Sequence, residues 1–219
     1  SVVSNRSERS KRSVDNVEAA IEDALIYPLL QGREVQKWIA SPSIHILVTH
    51  QANAGLRAIS ESAMSVSYPK AFAYFKSFEE LLRTSGLFKR YYKPSDPFYS
   101  MFDIGEYSFA PYKVVYREIS AKLQACVIAA EDKKPIIPDH KLILVPFDSL
   151  VEAHYVCAVL NSSLVGYVAQ AYTITTQFSS HLFDNINIPR FEESNELHIR
   201  LAHLSQQAHQ LATQGESTT

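Results

Sequence analysis

The sequence contains little cysteine, glycine or tryptophan, and it has no long hydrophobic run. Its 219 residues include two cysteines, six glycines and one tryptophan. Cys126 and Cys157 are too few and too far apart for a disulfide framework or a zinc knuckle, and both lie in apolar runs where free cysteine is usually buried. No apolar stretch approaches the roughly 18 residues that a membrane span requires, and no secretory signal is visible. We therefore expect a cytoplasmic protein that makes no contact with a membrane.

Recognisable motifs for catalysis and metal binding are absent as well. The glycines include no Gly-rich loop that could cradle a nucleotide, and no Gly-x-Ser-x-Gly nucleophile motif occurs. None of the eight histidines has another histidine four residues away, and no cysteine or carboxylate stands beside them at zinc-ligand spacing. The sequence therefore gives no indication of an enzyme or of a metal site in this chain.

What the sequence does contain is enough apolar material for a full core and an uneven distribution of charge. Hydrophobic residues make up 46% of the chain, and the formal net charge is −2. The segment from residue 83 to 117 (the basic segment) contains six basic and three acidic residues, with six tyrosines interleaved among them. The basic residues are Arg83, Lys89, Arg90, Lys93, Lys113 and Arg117. Phosphate recognition depends on clustered lysine and arginine rather than on total charge, so this segment is suited to nucleic acid.

The spacing of the apolar residues predicts an α+β fold with a mixed sheet. Residues 113–119, 126–130 and 141–145 have the composition of strands, whereas residues 17–25, 68–84 and 152–168 have the apolar spacing of helices. Residues 1–16 should form a linker or a disordered N-terminal segment, because they include few apolar anchors. Residues 17–190 should form the main domain with its packing helices, and residues 191–219 a C-terminal helix and tail.

The C-terminal helix carries a narrow apolar seam. Leu197, Leu201, Leu204, Ala208 and Leu211 follow one another at alternating steps of four and three residues. This spacing places side chains along one side of a helix, where they can pack against a single partner helix. We predict that this leucine seam packs within the chain or against a neighbouring domain, and not against nucleic acid.

Four segments carry a resemblance to a known family. They are residues 27–35 (YPLLQGREV), 109–117 (FAPYKVVYR), 153–163 (AHYVCAVLNSS) and 186–189 (INIP). In the same order, they resemble segments that follow the catalytic domain in large N-6 adenine DNA methyltransferases; the third is also similar, more loosely, to type I specificity subunits. The chain thus resembles the C-terminal target-recognition domain of a type II restriction-modification-like methyltransferase, without its catalytic domain.

This resemblance implies sequence-specific duplex DNA recognition for an S-adenosylmethionine-dependent methyltransferase of a bacterial restriction-modification or phage-defence system. An upstream methyltransferase domain would bind S-adenosylmethionine and hold the catalytic tetrapeptide, so no cofactor is expected in this fragment. The nearest match to that tetrapeptide here, Asp96-Pro97-Phe98-Tyr99, has Phe98 in place of the second proline. We expect the fragment alone to be no enzyme, and the resemblance leaves open whether a nuclease is fused to the parent protein.

The resemblance also indicates which residues should contact DNA. A methyltransferase that acts on an adenine amino group must extrude the base, so a separate element has to hold the flanking duplex and read the site. Lysine and arginine would neutralise phosphates, while neutral amide and hydroxyl side chains would contact base edges. The predicted DNA-binding residues are Arg33, Lys89, Arg90, Lys93, Tyr112, Lys113, Arg117, Thr175, Thr176, Gln177, Ser179 and His181.

Alternative interpretations stay open at this point. Tyr112 could pack as part of one strand face, and Arg33 could make a structural turn contact to the missing upstream domain. Residues 173–181 could form a polar turn whose hydroxyls satisfy its own backbone. Two other functions also stay open. One is a protein-interaction module that docks a partner subunit through the C-terminal helix, and the other is a degenerate methyltransferase fragment whose Asp96–Tyr99 loop still holds a base.

Overall fold

The computed structural model describes residues 1–5, 14–51, 57–172, 177–178 and 180–216. Its helices and strands confirm the expected α+β class. The chain divides into two compact units that are interleaved along the sequence. Unit 1 comprises Ser1–Tyr27 and Ile46–Glu106, and unit 2 comprises Pro28–His45 and Tyr107–Thr219. These boundaries differ from the sequence-based divisions after residues 16 and 190.

The described part of the chain contains ten short strands and seven α-helices. The strands are β1 (Val2–Ser4), β2 (Glu18–Ala20), β3 (Ile26–Leu30), β4 (Val35–Gln36), β5 (Ile39–Ala40), β6 (Ile44–Leu47), β7 (Tyr112–Arg117), β8 (Ala125–Ala129), β9 (Ile137–Pro138) and β10 (Leu142–Phe147). The helices are α1 (Glu61–Ser67), α2 (Pro69–Lys76), α3 (Glu79–Arg83), α4 (Gly86–Tyr91), α5 (Leu150–Leu160), α6 (Ser163–Tyr172) and α7 (Glu196–Glu216). No helix among the described residues is both long enough and apolar enough to span a membrane.

Unit 1 combines a two-stranded antiparallel sheet, β1 with β2, and the helices α1 to α4. Serine side chains begin two of these helices: Ser60 Oγ accepts from the backbone N–H of Ala63, and Ser85 Oγ from that of Phe88, both at 3.2 Å. The predicted helix over residues 68–84 is present as α2 and α3, with a break at residues 77 and 78.

Two expectations for the start of the chain are corrected. Residues 2–4 form strand β1 rather than a linker, and residues 17–25 form β2 and a 3-10 turn rather than a helix. Ile21 and Leu25, whose four-residue spacing predicted the helix, are buried in the unit 1 core. The backbone partner of β2 is β1, which lies about 16 residues earlier, so local periodicity gives no sign of the pairing.

The main sheet of unit 2 has β7 at its centre. Strands β10 and β8 flank it on either side, both antiparallel, so that Val115 lies opposite Leu144 on one side and Cys126 on the other. All three strands correspond to strands predicted from the sequence. Side chains alternate along β7, and both faces are covered: Val114 and Tyr116 belong to one buried cluster, whereas Val115 belongs to another.

Two further sheets are formed by strands β3 to β6 and β9. A three-stranded sheet has the order β6, β3, β9, in which β3 and β9 are parallel, and it supplies the mixed pairing that the sequence predicts. Strands β4 and β5 form a hairpin whose turn includes Trp38. Trp38 has a φ of 71°, a conformation that non-glycine residues rarely adopt, and its backbone N–H donates to the carbonyl of Ala125 at 3.1 Å. This hydrogen bond anchors the hairpin to the main sheet.

The predicted helix over residues 152–168 is divided into α5 and α6 at residues 161 and 162. The side chain of Asn161 pairs twice with the backbone of Ala125: its Oδ1 accepts from the N–H at 3.0 Å, and its Nδ2 donates to the carbonyl at 2.7 Å. Asn161 therefore ends α5 by tying it to β8, a long-range contact that apolar spacing cannot reveal.

Helix α7 packs along α5, but not through the leucine seam. The residues that face inward are His198, Ala202, Ser205 and His209, at steps of four, three and four. Leu197, Leu204 and Leu211 are instead 62%, 52% and 68% exposed. Leu201 and Ala208 are half-buried, so the seam as a whole does not form the α5 contact. Packing of the exposed leucines against a neighbouring domain stays a prediction. The face that packs on α5 is therefore formed by small and polar residues, and Ser205 Oγ lies within hydrogen-bond distance, 3.0 Å, of the buried ring of His154.

Candidate nucleic-acid interface

The basic segment is divided between the two units. Arg83, Lys89, Arg90 and Lys93 belong to unit 1, whereas Lys113 and Arg117 belong to unit 2. Cations that are close in sequence thus belong to two separate compact units.

The first cation of the segment, Arg83, has a structural role. Its Nε donates to Glu79 at 2.8 Å, and its Nη2 donates to Glu61 at 3.0 Å. Its Nη1 donates to the carbonyls of Pro94 and Asp96 at 2.9 and 3.2 Å. All three guanidinium nitrogens are therefore engaged within unit 1, and Arg83 holds the 94–96 loop against α3.

Lys89, Arg90 and Lys93 have a different environment. All three side chains are exposed, and none of them forms an ion pair with any other described residue. The Arg90 guanidinium lies 5.2 Å from the centroid of the Tyr91 ring. Exposed lysine and arginine without carboxylate partners keep their charge available, which is the property that a phosphate contact needs. We call these three residues the unit 1 cations.

Lys113 does not fit the predicted phosphate contact. Its side chain is only 1% exposed, and its Nζ donates to the carbonyl of Ala110 at 2.7 Å. Burial lowers the pKa of this amine to about 8. Because both faces of β7 are covered, an ammonium on this strand is enclosed rather than presented. Tyr112, on the same strand, is half-buried against the cluster that includes Val114, which is the packing role left open above.

Two predicted residues from distant parts of unit 2, Arg33 and Gln177, form hydrogen bonds with residues 117 and 118 at the end of β7. Arg117 Nη2 donates to the backbone carbonyl of Arg33 at 3.2 Å. The next residue, Glu118, accepts from the side-chain amide of Gln177 at 2.9 Å. Arg33 and Gln177 are exposed, and Arg117 is partly exposed. The end of β7 therefore carries two hydrogen-bonded pairs, Arg117 with the Arg33 backbone and Glu118 with Gln177, which together we call the β7 end cluster.

The turn that carries Arg33 is held by its neighbours. Glu34 Oε2 accepts from the backbone N–H of Gln31 at 2.8 Å, and the Glu34 carboxylate also accepts from the hydroxyl of Ser43. A Cβ at Gly32 would lie 3.6 Å from the Lys141 side chain, an ordinary contact, so the turn does not depend on glycine for space. The turn fixes the Arg33 carbonyl on Arg117 and leaves the Arg33 side chain in solvent.

The run predicted to read bases is described only in part. Thr175, Thr176 and Ser179 lie outside the described residues. Phe178 is 2% exposed, and its backbone N–H donates to the Glu118 carbonyl at 2.6 Å, which anchors the run beside Gln177. His181 is exposed, and its Nδ1 lies 2.9 Å from the Asp184 carboxylate.

The Asp96–Tyr99 loop is built into the unit 1 core. Phe98 and Tyr99 are 1% and 3% exposed, and the Tyr99 hydroxyl donates to the carbonyl of Ile59 at 2.9 Å. The Asp96 carboxylate accepts from the backbone N–H of Lys93 at 2.7 Å. Both rings are thus enclosed and cannot stack on a base, which argues against the degenerate-methyltransferase interpretation. Among the described residues, no group of three or more His, Cys, Asp or Glu side chains is arranged to hold a metal.

Two residues of these surfaces, Glu118 and Phe102, were not predicted from the sequence. Glu118 directly follows Arg117, but its partner Gln177 lies 59 residues away, so no local signal marks it. Phe102 stacks on Tyr91 with ring centroids 4.0 Å apart. Its exposure next to the basic segment could not be read from the sequence, where an isolated phenylalanine predicts burial.

Comparison with known proteins gives one informative relationship. The chain is 31% identical over 147 residues to the Type II methyltransferase M.NspV of Nostoc sp.. The aligned region covers 66% of this chain and 29% of that relative, so the chain spans less than a third of the curated protein it matches. No protein-family model matches the chain. The chain is therefore related to a Type II methyltransferase.

Proposed function

We propose, on the premise of this relationship, that the chain recognises duplex DNA in a sequence-specific way for an N-6 adenine DNA methyltransferase of a restriction-modification or phage-defence system. The observation that carries the proposal is the group of unit 1 cations, Lys89, Arg90 and Lys93, exposed within five residues and without carboxylate partners. Because the chain is related to a methyltransferase, we take DNA, a polyanion, as the ligand of this surface.

The two surfaces suit different parts of the task. The unit 1 cations have flexible, positively charged side chains. Such side chains can neutralise phosphates whatever the base sequence is. The β7 end cluster combines Arg117 with the amide of Gln177, and amide and guanidinium groups are the side chains that discriminate base edges in the major groove. We therefore assign phosphate contacts to unit 1, and base reading, together with Arg33, to unit 2.

Catalysis belongs, in this proposal, to an upstream methyltransferase domain that binds S-adenosylmethionine. The chain offers no Gly-rich nucleotide loop, and the rings of its Asp96–Tyr99 loop are enclosed. We expect isothermal titration calorimetry of the isolated chain to show no saturable binding of S-adenosylmethionine. Saturable binding with a stoichiometry near one would overturn the assignment of the chemistry to another domain.

The salt dependence of DNA binding tests the central proposal. Fluorescence anisotropy with a labelled duplex would give the slope of log K against log salt between 50 and 200 mM. Changing Lys89, Arg90 and Lys93 to alanine should reduce the magnitude of that slope by roughly 0.9 for each phosphate that is no longer neutralised. All duplex sequences should be weakened about equally, because phosphates carry no sequence information.

A matched control is available in the same chain. Lys70, Lys122 and Arg190 are exposed and scattered, so changing all three to alanine removes the same charge without touching the unit 1 cations. The control variant should keep the wild-type slope. An equal decrease of the slope in both triple variants would indicate a general charge effect. An unchanged slope in the first variant would mean that DNA binds to another surface.

A second candidate function is the docking of a partner subunit, and the exposure of the leucine seam favours it. Leu197, Leu204 and Leu211 recur every seven residues along α7 and are each more than half exposed. Isolated exposed leucines are ordinary, but a regular row of them marks an interaction surface. Leu204→Glu should then reduce co-purification of the chain with the upstream methyltransferase domain and leave DNA binding unchanged. His203→Glu, at the neighbouring exposed position, is the control.

A further inference from the structure

Unit 1 presents two stacked aromatic rings to solvent. Tyr91 and Phe102 are 45% and 47% exposed, and their ring centroids lie 4.0 Å apart at an interplanar angle of 28°. Leu87, one turn before Tyr91 on α4, is 49% exposed. Large apolar side chains usually contribute to a core, so a contiguous exposed group of three requires a physical explanation.

The orientation of α4 explains why these rings face outward. Residues four apart lie on the same side of a helix. Phe88 and Tyr92 form the inner pair, with Phe88 6% exposed and their ring centroids 5.5 Å apart. Leu87 and Tyr91 form the corresponding outer pair. The helix therefore buries Phe88, with Tyr92 half-buried beside it, and leaves Leu87 and Tyr91 in solvent.

Phe102 is held next to Tyr91 by backbone contacts. The hydroxyl of Tyr92 donates to the carbonyl of Met101 at 2.5 Å, which ties the segment before Phe102 to the end of α4. Phe102 and Asp103 then form a turn, in which Asp103 has a φ of 60°. Aspartate tolerates this left-handed conformation better than most residues. The ring is thus placed at the tip of a turn whose base is fixed.

The charges around the pair favour an anionic ligand. The three unit 1 cations lie on or directly after α4, and the Arg90 guanidinium lies 5.2 Å from the Tyr91 centroid. Two carboxylates, Asp96 and Asp103, are the acidic groups of the same stretch, and that of Asp96 accepts from the Lys93 backbone. The local charge from residue 86 to 103 is therefore three positive against two negative.

We propose that the Tyr91–Phe102 pair is a stacking platform for a DNA base whose face is not covered by a neighbouring base. The inference rests on the proposed function and adds a ligand to it. Exposed aromatic rings combined with cations bind nucleic acid by stacking on bases while the cations contact the backbone. In an intact duplex both faces of a base are covered, so the platform requires a gap, a single strand or the vacancy that base extrusion leaves. Stacking of this kind is tolerant of sequence.

The test compares two forms of the same oligonucleotide. One is a fully paired duplex, and the other carries a two-nucleotide single-stranded gap with 2-aminopurine in it. The intact chain should bind the gapped form more tightly and quench the 2-aminopurine fluorescence. Phe102→Ala should weaken binding to gapped DNA about fivefold or more and abolish the quenching, with less than about a twofold effect on paired DNA. Phe102→Trp should retain both properties.

Matched variants separate stacking from apolar contact and from misfolding. Leu87→Ala removes an exposed apolar side chain of the same patch, and Tyr167→Ala removes a 75% exposed aromatic ring of unit 2. Both should behave as wild type on gapped DNA. Phe102→Leu keeps an apolar contact to Tyr91 but has no ring face, so it should lose quenching at an unchanged melting temperature.

Two outcomes would count against the proposals, and they differ. Wild-type quenching and affinity in Phe102→Ala, in a chain that still binds duplex DNA with a steep salt dependence, would overturn the platform and leave the proposed function standing. Failure of the wild-type chain to bind either oligonucleotide would overturn the proposed function and the platform together.

Discussion

The side-chain amide of Gln177 donates to the carboxylate of Glu118, with 2.9 Å between Nε2 and Oε1. An amide nitrogen has two hydrogens, so one stays available, and the carbonyl oxygen of Gln177 is an acceptor. Reading adenine in the major groove uses one donor to N7 and one acceptor from N6. Gln177 can therefore contact adenine while Glu118 holds it, which makes Glu118 a positioning residue in the proposed recognition.

Gln177→Ala is expected to relax discrimination at one base-pair position of the methylation site. The loss should amount to about 1–3 kcal/mol, because one bidentate pair is removed, while non-specific binding stays nearly unchanged. Sequencing of methylated sites after expression of the full-length methyltransferase measures it. Glu118→Ala should give a weaker relaxation at the same position, and Gln207→Ala, an exposed glutamine on α7, should give none. If Gln177→Ala methylates the same sequence motif with the same stringency, Gln177 does not read a base.

Lys113→Met is expected to leave DNA binding unchanged. The variant removes one formal charge from the basic segment, but that charge is buried and its amine is bonded to the Ala110 carbonyl. The slope of log K against log salt should therefore match wild type, whereas Lys89→Ala should lower its magnitude by roughly 0.9. Melting curves would confirm that the methionine variant is folded. A reduced slope in folded Lys113→Met would show that this amine reaches a phosphate after all.

Leu204→Ala is expected to change stability very little. The residue is 52% exposed, and surface substitutions usually alter the free energy of unfolding by no more than about 0.5 kcal/mol. Leu160→Ala is the matched comparison, because Leu160 is fully buried in unit 2 and the same substitution should cost about 2–5 kcal/mol. Urea denaturation of the two variants measures the difference. A cost near that of Leu160→Ala would mean that α7 packs through its leucines.

The sequence predicted best where structure depends on neighbouring residues. Strands β7, β8 and β10 follow from β-branched runs, and the alternation along β7 placed Val114 and Tyr116 on one face. The candidate surfaces were found in part for the same reason, since clustered charge between residues 89 and 93 is a local signal. Buried Cys126 and Cys157 were also predicted from their apolar surroundings.

The failures involve contacts between distant segments. Leucine spacing on α7 predicts an apolar seam, but the buried face includes Ser205, which hydrogen-bonds to His154, 51 residues earlier in the chain. Lys113 was predicted to reach solvent, but only the tertiary fold shows that both faces of β7 are covered. Asn161 ends a helix by binding Ala125, 36 residues earlier. In each case the deciding partner is remote in sequence, so neither periodicity nor composition could identify it.

Two histidines of unit 2 are held in the neutral form by their hydrogen bonds and burial. The backbone N–H of Val127 can only donate, so His209 Nε2, 2.9 Å away, must accept. The proton of His209 therefore lies on Nδ1, which donates to the Ser205 carbonyl at 2.7 Å. Burial lowers the pKa of His209 below its ordinary value, despite that bond. Burial, and then the proximity of His209, lowers the pKa of His154 to about 4.

Mild acid is accordingly expected to destabilise the chain before its carboxylates titrate. Below pH 6.5, the usual histidine pKa, the unfolded chain takes up protons that the folded chain does not bind, so the free energy of unfolding falls as the pH falls. For His154 the loss continues to about pH 4, where the folded chain also takes up its proton. Urea midpoints between pH 7.5 and 5 measure this loss in a range where carboxylates stay ionised. His154→Gln should be less stable at pH 7.5, because the ring fills a buried site, but its stability should fall less steeply towards pH 5. A pH profile parallel to that of wild type would show that His154 is not the source of the acid sensitivity.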